Sequence, residues 1–273
     1  MNIISYNKFL RETDKMCHKI ASSDLQIDAV VPALRSGMIP AFKIAERLNL
    51  PIMVDEKIHA GLRINKNREI KNLLLVDDSI NTGTNLRNEI KKYAGKYNVY
   101  VATVICSPSQ VKNVDFYSIV VDSPRIFEWN MFHCSNTSKV MFDMDGVICI
   151  DPRVYDDDGK SYENEIADIP SLFVPKYPIH SIVTNRIERW RGTTDSWLKR
   201  HGVQYGELIM QQYPTAVERR RGKDPGTYKA EHYINSDACL FIESNLAQAQ
   251  KIYKISKKPV YCIETNSFLG VDE

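Results

Sequence analysis

Asp143 and Asp145 stand two residues apart, after the apolar run Val140-Met141-Phe142 and before Gly146. A carboxylate at the end of a strand faces the ligand crevice of a parallel sheet. The residue two places on can point back to the same site if the chain breaks there, and Gly146 permits the break. One carboxylate can then attack phosphorus while the other serves as general acid and later as base. Two close carboxylates also suit Mg²⁺. A second acidic pair, Asp77-Asp78, ends the run Leu73-Leu74-Leu75-Val76. Adjacent carboxylates repel, so burying them calls for donors or a metal. A sugar diol supplies two such donors. The turn from Ser79 to Asn85 is small, hydroxyl-rich and opens a helix. Its backbone N–H groups and the helix N-terminus suit a phosphate dianion. No Gly-Lys-Ser/Thr is present, so this is not a Walker A loop.

These residues need strands to present them and helices to follow. Met16, Cys17 and Ile20 at helical spacing predict a helix over 10–21. Ile27 to Val31 reads as a strand, Pro32 to Gly37 as a turn and Ile39 to Leu48 as an amphipathic helix. Pro51 to Val54 is a short strand, and the polar stretch Asp55 to Lys71 a hairpin or loop. Leu73 to Val76 is too short for a helix, and a helix near Asn85 to Tyr93 follows it. Strands at Val99 to Ile105 and Tyr117 to Val121 complete an alternation that favours a parallel α/β sheet. After the polar break His133 to Ser138 the alternation restarts. Strands are expected at 140–142, 179–183, 208–210, 239–242 and a last one at 259–263; helices at 187–200, 227–234 and 245–255.

The 273 residues allow one large domain or two ordinary ones. The 36 basic and 34 acidic residues leave a net charge of +2, which argues against a broad nucleic-acid face. Basic residues outnumber acidic ones 18 to 14 through about residue 135, and trail 18 to 20 beyond it, which favours two units. No apolar stretch approaches the roughly 18 residues of a membrane span. The first ten residues lack the apolar core of a signal peptide. The six cysteines form no Cys-x-x-Cys pair, so a cytoplasmic chain with free thiols is expected.

The stretch from Leu73 to Asn85 resembles the phosphoribosyl pyrophosphate motif of the type I phosphoribosyltransferases: an apolar strand, two acids, then a Thr/Gly turn. The resemblance covers residues 1–135. It implies that Asp77 and Asp78 hold the ribose hydroxyls and that Ser79, Asn81, Thr82, Gly83, Thr84 and Asn85 hold the 5′-phosphate. The earlier turn Val31 to Gly37 resembles the family's pyrophosphate loop, with Arg35, Ser36 and Gly37 at the leaving group. A guanidinium binds phosphate oxygens in bidentate fashion, so Arg35 is the natural charge partner. The implied reaction displaces pyrophosphate from the anomeric carbon by a base nitrogen. Lys57, His59 and Arg63 lie where relatives carry a mobile loop. Asn81 stands where purine-salvage relatives often carry Asp, which weakens that assignment of the base. Pro124 to Trp129 is a candidate stacking wall or a packed aromatic. The resemblance also makes a homodimer an expectation.

The stretch Val140 to Val147 resembles the first motif of haloacid dehalogenase superfamily phosphatases, Asp-x-Asp, and the resemblance covers 136–273. Ser181 to Asn185 resembles the second motif, with Thr184 and Asn185 toward the phosphoryl group. Lys229 is the best candidate for the third-motif cation, and Leu240 to Ser244 resembles the fourth motif, with Glu243 as its acid. The resemblance implies Asp143 as nucleophile, Asp145 as acid then base, and Mg²⁺ held by Asp143, Asp145 and Glu243. Many relatives carry two acids in the fourth motif; here Ser244 and Asn245 follow Glu243. No large cap fits between Ile148 and Tyr177, where Asp156 to Asp158 reads as a solvated loop. Arg186, Arg189 and Arg191, and the run Arg219 to Arg221, are either substrate-anion contacts or surface charge.

The expected fold is therefore α/β in two domains, 1–135 and 136–273, each a parallel Rossmann-like sheet with flanking helices. The expected partners are phosphoribosyl pyrophosphate, a base and a phosphate monoester, with no nucleic acid and no membrane. The alternative is a phosphatase governed by a domain that senses phosphoribosyl pyrophosphate without turnover.

Overall fold

The chain opens with strand β1 (Asn2–Ile4) and helix α1 (Tyr6–Ala21) in this computed structural model. Residues 1–54, 57–58, 69–154 and 159–272 are described. Helix α1 starts one turn earlier than its apolar spacing predicts, because Phe9 joins Met16, Cys17 and Ile20 on the buried face. The next elements are β2 (Ala29–Pro32), α2 (Met38–Leu48), β3 (Met53–Val54), β4 (Lys57–Ile58), β5 (Asn72–Ile80), α3 (Thr84–Tyr93), β6 (Asn98–Cys106), β7 (Phe116–Val120) and β8 (Arg125–Phe127). Strands β2, β5, β6 and β7 form one sheet in that order, all parallel. Leu73, Leu74, Leu75 and Val76 are each fully buried, as a strand covered on both faces requires. Strands β3 and β4 form a small hairpin, and β1 pairs with β8. His59, Arg63 and Asp156 to Asp158 lie outside the described residues; for Lys57 only the backbone is described.

The chain continues through β9 (Val140–Phe142), α4 (Lys160–Asp168), β10 (Ile179–Ile187), α5 (Arg191–Arg200), β11 (Tyr205–Gln211), α6 (Ala216–Arg221), α7 (Pro225–Ile234), β12 (Leu240–Glu243), α8 (Leu246–Ser256), β13 (Val260–Cys262) and β14 (Ser267–Leu269). The sheet order is β11-β10-β9-β12-β13-β14. The first five strands are parallel and β14 is antiparallel to β13. Alternate residues feed two cores. Val140, Phe142, Ile182 and Ile242 pack on one face, and Met141, Val183 and Phe241 on the other. That explains why these strands read as continuous apolar runs. The chain walks from β9 outward to β11, then returns to lay β12 on β9's other side. The crevice at such a reversal, beyond the carboxyl ends of the strands, is where open α/β sheets bind ligands.

The mixed α/β architecture with parallel sheets and flanking helices follows the sequence reading. Several boundaries differ. The helix expected from Ile187 begins at Arg191, because Ile187 completes β10 by pairing with Gln211 past a register shift. The strand at Val260 is followed by β14, which the period-2 reading missed in three residues. Contact density divides the chain mainly into Tyr6–Arg125 and Ile126–Asp272. Ile126 and Met131 already belong to the second core, ahead of the polar break at 133–138. All six cysteines are free thiols. No helix among the described residues is long and apolar enough to cross a membrane.

Candidate active sites

In the second unit, Asp143 follows β9 directly, and its backbone N–H donates to Ile242 of β12 at 2.9 Å. Its Oδ1 accepts the Met144 N–H at 2.8 Å. Its Oδ2 accepts from Lys229 Nζ at 2.7 Å. Lys229 comes from α7 and also reaches Glu243 Oε2 at 2.7 Å and Gln248 Oε1 at 2.9 Å. An ammonium has three donors, and all three are used. Glu243 ends β12, and its Oε1 accepts the Ser244 and Asn245 N–H groups at 3.0 and 3.1 Å. Burial alone would strip the proton from Lys229, but Asp143 and Glu243 hold it on. Burial and the Glu243 charge push the Asp143 carboxyl well above the carboxylate range, against the pull of Lys229.

Gly146 turns the chain after Asp145 at φ 74°. A Cβ there would lie 2.5 Å from the Ser244 Cβ, so the loop after β9 closes against the loop after β12. Asn245 caps α8, its Oδ1 accepting the Gln248 N–H at 3.0 Å.

Arg186 corrects its surface reading. It sits in β10, two residues past Thr184, and is buried. Its Nη2 lies 2.5 Å from Asp145 Oδ1. Burial opposes its charge, but Asp145 holds the guanidinium protonated. Two-residue spacing from Thr184 on a strand was the available signal, masked by the expectation of a helix. Arg191 pairs with Glu188, and Arg189 lies over the Trp190 ring at 5.9 Å.

A cavity of 690 Å³ opens over these groups. Asp143, Asp145, Asn185, Arg186 and Lys229 line it. Thr184 and Glu243 are fully buried and are not in its lining. Thr184 Oγ1 accepts the Arg186 N–H at 3.2 Å. Arg219, expected as either an anion contact or surface charge, joins the lining, as do Gln248 and Asp151, which the sequence reading assigned to no site. Arg219 Nη1 donates to the Asn185 carbonyl at 3.1 Å. Burial and the Asp145 charge raise the Asp151 carboxyl. Carboxylate oxygens match Mg²⁺ chemically. Among the described residues, however, no three His, Cys, Asp or Glu side chains are grouped to hold a metal ion. Asp143 and Glu243 spend one oxygen each on Lys229, and Asp145 faces Arg186.

In the first unit, register sets Pro32 of β2 beside Val76 of β5. The Ala33–Gly37 turn and the Asp77-Asp78 pair therefore leave neighbouring strands at the same end of the sheet. The acids lie within β5 rather than beyond it, because β5 stays paired with β6 through Ile80. Asp78 is buried, and its N–H donates to Asp77 Oδ1 at 2.9 Å. Burial and the Asp78 charge push the Asp77 carboxyl up to about 8.

Gly83 adopts φ 73° and opens α3. A cavity of 160 Å³ is lined by Asp77, Ser79, Asn81, Thr82, Gly83, Thr84 and Asn85. Arg87, one turn into α3, donates to the Thr82 carbonyl at 3.3 Å and to Thr84 Oγ1 at 3.2 Å. The sequence reading passed over it, though a helix residue one turn in is a standard place for a charge facing an N-terminal turn. Asn81 Oδ1 accepts from Ser123 at 2.9 Å. Arg35, Ser36 and Gly37 do not line this cavity, and Arg35 is exposed. The Leu34–Arg35 peptide is cis. A Cβ on Gly37 would lie 2.4 Å from the Val76 carbonyl, so the turn presses directly on β5. Phe127 and Trp129 stack on each other at 4.8 Å.

No family model matches the chain, and no curated protein matches it. Solved structures do. The purine phosphoribosyltransferase of Pyrococcus horikoshii is 20% identical over 47% of this chain and 95% of its own, with a TM-score of 0.38. The xanthine-guanine-hypoxanthine phosphoribosyltransferase of Helicobacter pylori is 20% identical over 47% and 92%, with a TM-score of 0.36. A Neisseria gonorrhoeae protein with bound ppGpp is 16% identical over 47% and 89%, with a TM-score of 0.38.

Proposed function

We propose that the chain is a bifunctional enzyme of nucleotide-like metabolism. Residues 1–135 transfer a phosphoribosyl group from phosphoribosyl pyrophosphate to a base. Residues 136–273 hydrolyse a phosphate monoester, and the nucleotide made by the first domain is the natural candidate. The observation that carries the hydrolase half is the Lys229 bridge between Asp143 and Glu243 at the carboxyl ends of β9 and β12. It sets a nucleophile, a cation and a second acid together beside a polar cavity.

In this reading an Asp143 oxygen bonds to phosphorus as the ester bond breaks. Asp145 protonates the leaving alkoxide. It then takes a proton from water as that water displaces Asp143. Lys229 offsets charge on the phosphoryl oxygens. The sequence resemblance implies Mg²⁺ held by Asp143, Asp145 and Glu243, but these side chains are paired with Lys229 and Arg186 and do not group around a metal ion. In the first domain the 160 Å³ turn cavity accepts the 5′-phosphate, beside the half-buried Asp77. Free thiols agree with a reducing, cytoplasmic setting.

Two measurements test this. Acid-quenched protein given a labelled phosphate ester should carry acyl phosphate, and Asp143→Asn should not. A panel of bases with phosphoribosyl pyrophosphate and Mg²⁺ should yield pyrophosphate and nucleotide or nucleoside. Failure with every base, beside an active phosphatase, removes the coupled reading.

The exposed Arg35, outside the turn cavity, favours a second reading in which the first domain senses phosphoribosyl pyrophosphate and regulates the phosphatase. Tight binding of phosphoribosyl pyrophosphate without pyrophosphate release supports that alternative.

A further inference from the structure

The Arg186 guanidinium meets Asp145, a candidate catalytic carboxylate. The arginine side chain is 0% exposed. Such a charge inside a fold is costly unless it is paired and hydrogen-bonded. Here the pairing is directional. Nε lies 3.2 Å from both Asp145 oxygens, and Nη2 lies 2.5 Å from Oδ1. The far side of the fork is fixed as well. Nη1 donates to Thr194 Oγ1 at 3.2 Å, and Nη2 lies 3.5 Å from the Cys149 sulfur. A planar fork anchored on one edge fixes the plane of the carboxylate on the other. Arg186 and Asp145 both line the 690 Å³ cavity, so the pair borders the space proposed to take the ester.

We propose that Arg186 is a positioning residue for proton transfer: it holds Asp145 at the angle from which the leaving oxygen receives its proton. This rests on the phosphatase reading above. When the Asp143–phosphorus bond forms, the ester bond's electron pair goes to the leaving oxygen, which takes the proton from Asp145. When water displaces Asp143, Asp145 takes the water proton back. Arg186 keeps its own protons throughout and acts only through the geometry of Asp145. Its substitution therefore matters most where the leaving group needs a proton.

The test compares an alkyl ester, glycerol phosphate, with p-nitrophenyl phosphate, whose leaving group departs as a stable anion. Both are assayed with Mg²⁺, with melting curves as folding controls. Removing a general acid's contribution costs about 100-fold or more, so Arg186→Met should slow the alkyl ester by that factor and the nitrophenyl ester by less than about tenfold. Asp145→Asn should show the same selectivity. The double variant Asp145→Asn/Arg186→Met should be no slower than Asp145→Asn, because the arginine has no one left to position. If Arg186→Met melts below the assay temperature, Arg186→Lys carries the comparison: it keeps the charge, loses the fork and should show the same selectivity. Equal losses on the two esters, or an additive double variant, overturn the inference. A folded wild-type protein that releases phosphate from neither ester removes the phosphatase reading, and this inference with it.

Discussion

Lys229 Nζ and Asp143 Oδ2 lie 2.7 Å apart, with both side chains almost wholly buried. Glu243 shares the same ammonium, so one buried cation stands between two carboxylates. Such a bridge is poor evidence of extra stability, but breaking it from one side leaves uncompensated charge. Lys229→Met should therefore cost about 3–5 kcal/mol of unfolding free energy. Urea denaturation measures it. A triple variant that also neutralises Asp143 and Glu243 should recover most of the loss. A single variant as stable as the parent would mean that the bridge is not formed in solution.

Asp77 gives the first unit a pH signature. Its carboxyl is held near 8 in the fold, against the usual 3.8. The folded state thus keeps a proton that the unfolded state releases. The resulting stabilisation is full below about 4, shrinks as pH rises and is gone above about 8. Asp77→Asn keeps a neutral group at all pH values. Its denaturation midpoint should equal or exceed the parent's at pH 8.5, and the gap should narrow toward pH 5. A parent and variant with parallel pH profiles would contradict the raised value.

Gly83 tests the turn that opens α3. Its φ of 73° disfavours any side chain, and Gly83→Ala should cost about 1–2 kcal/mol on that ground alone. The nearest atom to the added Cβ is Gln110 Oε1 at 2.5 Å, the tip of a flexible side chain that can move aside. Backbone strain should dominate, so Gln110→Ala should rescue little. Calorimetric binding of phosphoribosyl pyrophosphate to the variant should weaken in parallel.

Gly146 contrasts with it. The φ of 74° again costs about 1–3 kcal/mol for a side chain. Here the obstacle is the Ser244 Cβ at 2.5 Å, which has no rotamer freedom. Gly146→Ala should be the more damaging of the two substitutions, read as a larger drop in melting temperature. Ser244→Gly in the same chain should restore part of the loss. If it restores none, the two loops are not in contact.

Much of the architecture was legible from local pattern. Apolar runs such as Leu73 to Val76 and Leu240 to Ile242 are buried on both faces, so they show in sequence as uninterrupted stretches. Short edge elements carry no such signal. Strand β14 has three residues, and α6 is a single basic turn begun by Thr215, whose side chain accepts the Glu218 N–H. The end of β10 was also hidden. Ile187 reads as the start of a charged helix, yet pairing with β11 extends the strand through Arg186 and Ile187.

By itself the sequence determined which polar residues follow the apolar runs: Asp77 and Asp78, Asp143 and Asp145, Thr184, Glu243. Those positions follow from composition and period, which are local properties. Only the tertiary structure decided who meets whom. Lys229 lies 86 residues from Asp143 and 14 from Glu243, and only the return of the chain to place β12 beside β9 brings the three together. The same sheet order turns Arg186 inward onto Asp145, 41 residues away. A buried charge is tolerated only with its partner, and no local pattern names the partner.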